Sequence, residues 1–228
     1  MPSVVDFAWK SKSKNKQITS NMKKLFTIAA MMLLAVMGLS ACTGSKKEAK
    51  VADESETTKK ETIDMKGKKV LVAYFSWSGN TREAAHYIAQ KVGAGEFEII
   101  REKAYPKEYN ACTEDAKAEK EAGERPAIKG KVENMAQYDV VFVCVPVWWY
   151  TAPMPVFTFL EQYNLSGKTV IPFCTAYSGP SSTLRDIVSA TPKSDHRDGI
   201  CIVTKEQGGK DMDKKHGKID KWLTEIGF

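Results

Sequence analysis

The chain is short of the residues on which most hydrolytic and metal-dependent sites rely. Its 228 residues include three histidines and five cysteines, and no two cysteines form a Cys-x-x-Cys pair. The histidines, His86, His196 and His216, are far apart in the sequence, and each is interpreted as a solvated or structural imidazole. The sequence contains neither a Gly-x-Ser-x-Gly elbow nor a zinc-ligand spacing. We therefore predict no catalytic side chain and no metal site.

Clustered basic charge is also missing. The net charge of +6 is uneven along the chain, because residues 1–41 carry six lysines against one aspartate and residues 42–66 carry six charges of each sign. Residues 67–228 hold 22 basic and 21 acidic side chains in mixed order. A nucleic-acid-binding domain would show a basic stripe, so we predict no nucleic-acid partner.

Residues 22–41 have the composition of an export signal peptide. Met22-Lys23-Lys24 is a positive start, an apolar run follows over Leu25–Met37, and the segment ends on Leu39-Ser40-Ala41-Cys42. The run is shorter than a membrane span, which needs about 20 residues. Its end resembles the processing box of bacterial lipoproteins, which implies a lipid on Cys42 and a place in the cell envelope, on the periplasmic or the surface face. The alternative is an uncleaved hydrophobic anchor or a buried helix.

The segments on either side of this signal are not expected to fold. Residues 1–21 precede a complete signal and show no periodicity. We interpret them as an extension from a start codon assigned too far upstream, and Met22 is the better start. Residues 42–66 are rich in Lys, Glu, Thr and Ser, a composition typical of a flexible tether. Residues 67–228 remain as the folded domain, long enough to bury about two-thirds of its unfolded surface.

Within this domain, apolar runs with the length of buried strands alternate with segments of helical spacing. The alternation predicts an α/β fold in which a doubly wound parallel sheet lies between two helical layers. The predicted strands are Val70–Phe75, Phe97–Ile100, Tyr138–Pro146, Thr169–Phe173 and Gly199–Val203. The predicted helices are Thr81–Val92, Pro155–Tyr163, Ser181–Ala190 and Asp211–Ile226, and the polar region Tyr105–Asn134 has a helix-like composition.

The loop after the first strand combines hydroxyl and amide side chains with one glycine at the start of a helix. Its residues are Ser76, Trp77, Ser78, Gly79, Asn80 and Thr81. Unpaired N–H groups and the positive end of the helix dipole favour an anion at such a place. The loop lacks both the G-x-G-x-x-G spacing and the Gly-Lys-Ser/Thr ending. A single phosphate monoester of a mononucleotide cofactor therefore suits it better than a triphosphate, and simple helix capping is the alternative.

The pattern Ser76-x-Ser78-Gly79-Asn80-Thr81 after a first strand resembles the phosphate loop of flavodoxin-like proteins, which bind flavin mononucleotide (FMN). The resemblance extends over about Lys68–Phe228 and implies five parallel strands in the order 2-1-3-4-5. It also implies that the loops after strands one, three and four meet at one crevice. The nearly neutral domain differs from the acidic surface of typical flavodoxins, which steers them to basic partners.

The loops after the third and fourth strands carry the other candidate cofactor-binding residues. They are Pro146, Val147, Trp148, Trp149 and Tyr150 in one loop, and Thr175, Ala176, Tyr177, Ser178 and Gly179 in the other. Pro-x-Trp-Trp resembles a flavodoxin-like motif, and its aromatic rings could sandwich a planar ring. We favour Trp149 and Tyr150 over Trp148 for that contact and Tyr177 in the second loop. The alternatives are a hydrophobic lid or interface patch, and a helix start capped by Ser178 or Ser181.

Four cysteines lie within the predicted domain. Cys144, Cys174 and Cys201 each lie inside an apolar, strand-like run and are interpreted as small core residues. Cys112 lies in a polar, helix-like stretch, where we expect it to be exposed. The spacing of the four gives no sign of a disulfide framework.

The resemblance implies a protein that binds FMN noncovalently and moves electrons or hydride between a reduced donor and an acceptor such as a quinone. The cofactor would carry that chemistry, which agrees with the scarcity of catalytic side chains. Two alternatives stay open, a one-electron carrier without a substrate of its own and a redox-silent scaffold. The expected partners are a small-molecule or protein redox partner, the membrane through the lipid anchor, and a second copy in a homodimer.

Overall fold

The computed structural model describes residues 64–65, 67–206 and 208–228. The predicted extension 1–21, the signal peptide 22–41 and the lipidated Cys42 lie outside the described residues, as does almost all of the tether 42–66. No helix in the described part of the chain is both long enough and apolar enough to cross a membrane.

Strands and helices alternate through the described domain as the sequence predicts. The strands are β1 (Val70–Tyr74), β2 (Gly95–Glu98), β3 (Ile100–Arg101), β4 (Ile128–Lys129), β5 (Val140–Pro146), β6 (Thr169–Ala176), β7 (Asp195–His196) and β8 (Ile200–Val203). The helices are α1 (Asn80–Val92), α2 (Tyr109–Ala122), α3 (Met154–Gln162), α4 (Thr183–Ala190) and α5 (His216–Glu225).

The main sheet is parallel, in the order β2-β1-β5-β6, and both β7 and β8 pair with β6 at its far side. Its central strands are rich in Val and Ile and buried on both faces, as expected for parallel strands covered by helices. If β7 and β8 are taken together as the fifth strand, the order is the predicted 2-1-3-4-5. The predicted fold class is confirmed.

Two apolar cores lie on opposite faces of this sheet because successive side chains of a strand point to opposite sides. One core is packed under α1 and α5 and includes Ala84, Ile88, Ile219 and Leu223. The other is packed under α3 and α4 and includes Val156, Phe159 and Ile187. The helices therefore form the two outer layers of an α-β-α arrangement.

Pro172 in β6 accounts for the division of the fifth strand into β7 and β8. The Ala176 carbonyl accepts a hydrogen bond from the Thr204 N–H (2.9 Å), so the even-numbered residues of β6 direct their backbone groups toward the fifth strand. Proline has no N–H to donate there. Residues 197–199 do not pair with β6 next to this missing donor. Pairing resumes in β8, whose register with β6 is shifted by one residue from that of β7.

The second predicted strand ends earlier than the sequence suggests. The parallel pairing with β1 covers Gly95–Glu98, and Ile100–Arg101 turns away to pair antiparallel with Ile128–Lys129. Ile99 lies between the two pairings, and its N–H donates to the Tyr74 carbonyl (2.7 Å). The polar region Tyr105–Asn134 contains α2, which lies next to the candidate site.

Candidate functional site

A crevice of about 400 Å³ opens at the carboxyl ends of β1, β5 and β6. Because these ends lie at one edge of the parallel sheet, the three loops that follow them converge there. The predicted residues that line the crevice are Trp77, Ser78, Val147, Trp148, Trp149, Tyr150, Ala176, Tyr177, Ser178 and Gly179. Ser76, Gly79, Asn80, Thr81, Pro146 and Thr175 are not among the lining residues. The volume is in the range of ordinary small-molecule sites.

The loop after β1 ends on Gly79, and the predicted loop residues Asn80 and Thr81 are the first two residues of α1. Gly79 has a φ of 97°, which favours glycine, and a Cβ there would lie 3.2 Å from the Cα of Gly208. Its N–H donates to the Ser76 hydroxyl oxygen (3.2 Å). The first N–H groups of α1 have no acceptor within the helix, and the Ser78 hydroxyl has no partner among the described residues. The loop thus presents neutral donors beside the crevice.

The side chain of Asn80 holds this loop to the segment after β8. Its Nδ2 donates to the Glu206 carbonyl (2.7 Å), and its Oδ1 accepts the Gly209 N–H (2.7 Å). Because its amide bonds as donor and as acceptor to the segment after β8, the Asn80 side chain orders the loop. Toward a bound anion, Asn80 can also offer its backbone N–H at the first position of α1.

Thr81 joins the loop after β1 to the end of β6. Its hydroxyl lies 2.8 Å from the Thr175 hydroxyl, and both side chains are buried. Each hydroxyl therefore satisfies the other away from water. The pair fixes the distance between two of the three loops that form the crevice.

The segment Trp148–Thr151, here called the aromatic turn, is a tight hairpin at the end of β5. The N–H of Trp148 donates to the Thr151 carbonyl (2.9 Å), and the N–H of Thr151 donates to the Trp148 carbonyl (3.0 Å). The two central residues, Trp149 and Tyr150, have φ values of 47° and 70°. Two-residue hairpins with positive φ at both positions usually contain Asn and Gly.

Backbone strain is concentrated at the crevice. Among the described residues, the non-glycine positions with positive φ are Trp149, Tyr150 and Ser181 (49°), and all three line the crevice. Such conformations cost about 1–3 kcal/mol each and persist where the surroundings impose them, as they do at many ligand-binding sites. Here Ser182 imposes part of the conformation, since its N–H donates to the Tyr150 carbonyl (3.1 Å) and its hydroxyl oxygen lies 2.7 Å from the same carbonyl oxygen.

The aromatic rings at the crevice differ in exposure. Trp148 packs edge-on against Phe75 and Tyr105, with centroids 5.2 and 5.0 Å away, and so belongs to the wall. Trp149 is 38% exposed, and Tyr150 and Tyr177 are each 70% exposed. These three exposed rings are therefore the candidates for contact with a cofactor. They include Trp149 and Tyr150, which the sequence analysis favours over Trp148.

The comparisons with known proteins agree with this architecture. A family model for flavodoxin matches residues 69–222. The chain belongs to the flavodoxin family. No curated protein matches the chain.

Solved structures similar to this flavodoxin-family chain include two from Bacteroides. One, named as a flavoprotein from Bacteroides eggerthii, has 32% sequence identity and a TM-score of 0.61, and the match covers 71% of this chain and 99% of that one. Its counterpart from Bacteroides uniformis has 29% identity and a TM-score of 0.60, with 70% and 99% covered. A flavoprotein from Lactobacillus acidophilus, in complex with FMN, shares the fold at 21% identity and a TM-score of 0.51, with 64% and 97% covered.

Helix α2 supplies one wall of the crevice that the sequence analysis did not identify. Its lining residues are Tyr109, Cys112, Thr113 and Ala116, and Ser181 also lines the crevice from the start of α4. The spacing i, i+3, i+4, i+7 on α2 marks one helix face, and it was the signal that could have found this wall. The Trp149 Nε1–H donates to the Thr113 carbonyl (2.8 Å) and joins the aromatic turn to the helix.

The expectation that Cys112 is exposed is wrong, because this side chain is only 3% exposed. It lines the crevice from α2 and is close enough to Asp115 and Arg101 to feel their charges. Burial, and secondarily the charge of Asp115, raises the pKa of the Cys112 thiol to about 11. Cys112 is therefore a protonated wall residue at neutral pH.

A buried ionic cluster anchors α2 in this flavodoxin-family domain. Arg101 lies 2.7 Å from Asp115 and 2.6 Å from Glu119, and the Tyr105 hydroxyl donates to Glu119. Burial raises the pKa of Glu119, and it outweighs the hydrogen bond from Tyr105 and the charge of Arg101. Because the Tyr105 ring also packs against Trp148, the cluster links the helix to the aromatic turn.

Three lysines stand over the exposed rings at the crevice. The Nζ atoms of Lys117, Lys120 and Lys205 lie 5.5, 5.9 and 5.6 Å from the ring centroids of Trp149, Tyr150 and Tyr177, respectively. Cation–π contacts at exposed sites contribute about 0.5–1 kcal/mol each. They place positive charge at the rim of the crevice.

Proposed function

We propose that the crevice binds FMN noncovalently and that the protein moves electrons or hydride between a reduced donor and an acceptor such as a quinone. The observation that carries the proposal is that Ser78, in the loop that leads into α1, and three exposed aromatic rings line one crevice. Membership of the flavodoxin family supports it, as does the Lactobacillus acidophilus relative that holds FMN.

The residues present fit this cofactor. The hydroxyls of Ser76 and Ser78 and the N–H groups at the start of α1 suit a phosphate monoester. Tyr150 and Tyr177 could stack on a planar ring, and Trp149 lines the same crevice, where its bond to α2 holds it. When bound, the flavin supplies the redox chemistry. The chain would bind and orient it, and its aromatic wall would exclude water from one side of the ring.

A titration of the full-length chain with FMN, followed by visible absorption and flavin fluorescence, tests the cofactor. We expect saturable binding that Ser78→Ala weakens, because the hydroxyl at Ser78 has no other partner among the described residues. Ser166→Ala is the matched control, since Ser166 is exposed on the loop before β6, at the opposite edge of the sheet. The absence of binding, or equal affinity in the two variants, would contradict the proposed site.

Stepwise reduction of the FMN-loaded protein separates the proposed activity from a one-electron carrier. Reduction by NADH or NADPH with turnover of a soluble naphthoquinone is the result expected for an oxidoreductase. A stable one-electron stage without turnover would replace that proposal with a carrier. A purified chain that is colourless and stays so with added FMN would leave a redox-silent module.

We also propose that the protein is exported and held in the bacterial envelope by a lipid on Cys42, on the periplasmic or the surface face. The support is the signal pattern of residues 22–41 and the Leu39-Ser40-Ala41-Cys42 sequence. Growth with a labelled fatty acid should label the wild-type chain and not Cys42→Ser. Label in both proteins, or in neither, would refute lipidation at Cys42.

A further inference from the structure

Two cysteines face each other across neighbouring strands at one side of the sheet. Cys174 of β6 and Cys201 of β8 are direct register partners, and both pack on the sheet face covered by α3 and α4. Neighbouring strands lie about 4.8 Å apart, which is within the Cα separation of about 4.4–6.8 Å that a disulfide allows. The sequence spacing gave no sign of this pair, because sheet register brings it together.

The two thiols differ in access to solvent. Cys174 is completely buried, whereas Cys201 is partly exposed on β8, which pairs with β6 through four register positions. A reagent from solution can therefore reach Cys201 first. Cys174 is the thiol placed to react with the Cys201 sulfur once that sulfur has been modified.

The electrostatics favour the same division of roles. A hydrogen bond from Cys174 lowers the pKa of the Cys201 thiol, while the same interaction and burial raise the pKa of Cys174. The thiolate, which is the nucleophilic form, therefore forms on the more accessible sulfur. This is the arrangement of an attacking cysteine beside a resolving one.

We propose that Cys174 and Cys201 form a reversible disulfide when the protein meets hydrogen peroxide. The Cys201 thiolate attacks one peroxide oxygen, so that an S–O bond forms, the O–O bond breaks and hydroxide leaves. The Cys174 sulfur then attacks the Cys201 sulfur, so that the S–S bond forms, the S–O bond breaks and water leaves with the Cys174 proton. The dithiol loses two electrons, and the peroxide is reduced to two waters once the hydroxide is protonated. A dithiol reductant reverses the modification.

The bond would tie β8 covalently to β6, whose carboxyl end leads into the Tyr177–Gly179 loop of the crevice. Its formation requires no flavin, so it stands independently of the proposed function. The other described cysteines lack such a neighbour across the sheet. Cys144 has Tyr74 and Phe173 as register partners, and Cys112 lies on α2.

Peptide mapping of the folded full-length chain tests the proposal. The protein is treated with a small excess of hydrogen peroxide, blocked with iodoacetamide and digested with trypsin without reduction. Cleavage after Arg185, Lys193 and Arg197 leaves Cys174 and Cys201 in separate peptides. We expect one linked pair, Cys174 with Cys201, that disappears after dithiothreitol. Alkylated Cys174 and Cys201 after treatment, or bridges spread over other cysteines, would overturn the proposal.

Two variants test the order of events. Cys174→Ser should accumulate a sulfenic acid on Cys201 that dimedone traps, whereas Cys201→Ser should leave Cys174 reduced at the same peroxide dose. Cys144→Ser is the matched control and should form the Cys174–Cys201 bridge as the wild type does. Faster oxidation of Cys174 in Cys201→Ser than of Cys201 in Cys174→Ser would refute the assigned roles. The wild-type peptide map decides the bridge itself even if a variant folds poorly.

Discussion

Tyr150 allows the strain in the aromatic turn to be measured separately from the loss of its ring. The residue has a φ of 70° and a side chain that is 70% exposed, so truncation removes little buried surface. A residue with a Cβ pays about 1–2 kcal/mol in this left-handed region, whereas glycine loses about 0.5–1 kcal/mol more chain entropy than alanine on folding. Tyr150→Gly should therefore be more stable than Tyr150→Ala by about 0.5–1 kcal/mol.

Urea unfolding and thermal melts of the two full-length variants measure this difference. A free energy of 1 kcal/mol corresponds to about 2–4 °C in Tm for a domain of this size. Ser189 in α4 is the control, because it is an exposed helical residue with ordinary backbone geometry. There glycine should be the less stable of the pair. Equal stability of the Tyr150 variants, or a more stable alanine, would refute the assigned strain.

Three further predictions concern the supports of the crevice. Asn80→Ala removes two hydrogen bonds of 2.7 Å, so the free energy of unfolding should fall by about 2 kcal/mol in urea titrations; FMN affinity should fall with it. Thr81→Val leaves the buried Thr175 hydroxyl unpaired and should lower the free energy of unfolding by about 1–3 kcal/mol. In a double-mutant cycle, the double variant Thr81→Val/Thr175→Val should lose less stability than the sum of the two single variants. Glu119→Gln should flatten the pH dependence of unfolding, because the raised pKa of Glu119 makes the folded protein hold that proton more tightly.

The sign of the last effect follows from linkage. A carboxyl whose pKa is higher in the folded state contributes most stability below its unfolded pKa of about 4.3. That contribution declines as the pH rises through the folded pKa. A wild-type stability that does not fall relative to Glu119→Gln over this interval would contradict the assignment.

For the threonine pair, strictly additive losses of stability in Thr81→Val and Thr175→Val would mean that the two hydroxyls do not support each other.

Much of the fold could be predicted because its signals are local. Runs such as Val140–Pro146 are apolar at every position, which happens when a strand is buried on both faces. The convergence of three loops on one edge follows from parallel topology alone. The division of the fifth strand could not be predicted so easily, because it depends on which side of β6 the missing N–H of Pro172 faces.

The finer structure of the site depends on partners far away in the chain. Asn80 was predicted as a cofactor-binding residue, but the groups that occupy its amide belong to Glu206 and Gly209. The hydroxyl of Thr81 is bonded to a residue 94 positions away. No local pattern predicts such contacts. The role of α2 as a wall of the crevice was missed for a different reason, since the apolar spacing of its lining face is diluted by the lysines and glutamates around it.

The interruption beside Pro172 also bears on the solubility of the protein. A long, regular outer strand presents a row of unsatisfied backbone groups on which another chain can add a strand and begin an aggregate. Here the outermost pairing partners of β6 are segments of two and four residues with a slip in register between them. Neither segment is long enough to act as a regular template. One proline in β6 therefore protects the border of the sheet formed by β7 and β8 from strand addition.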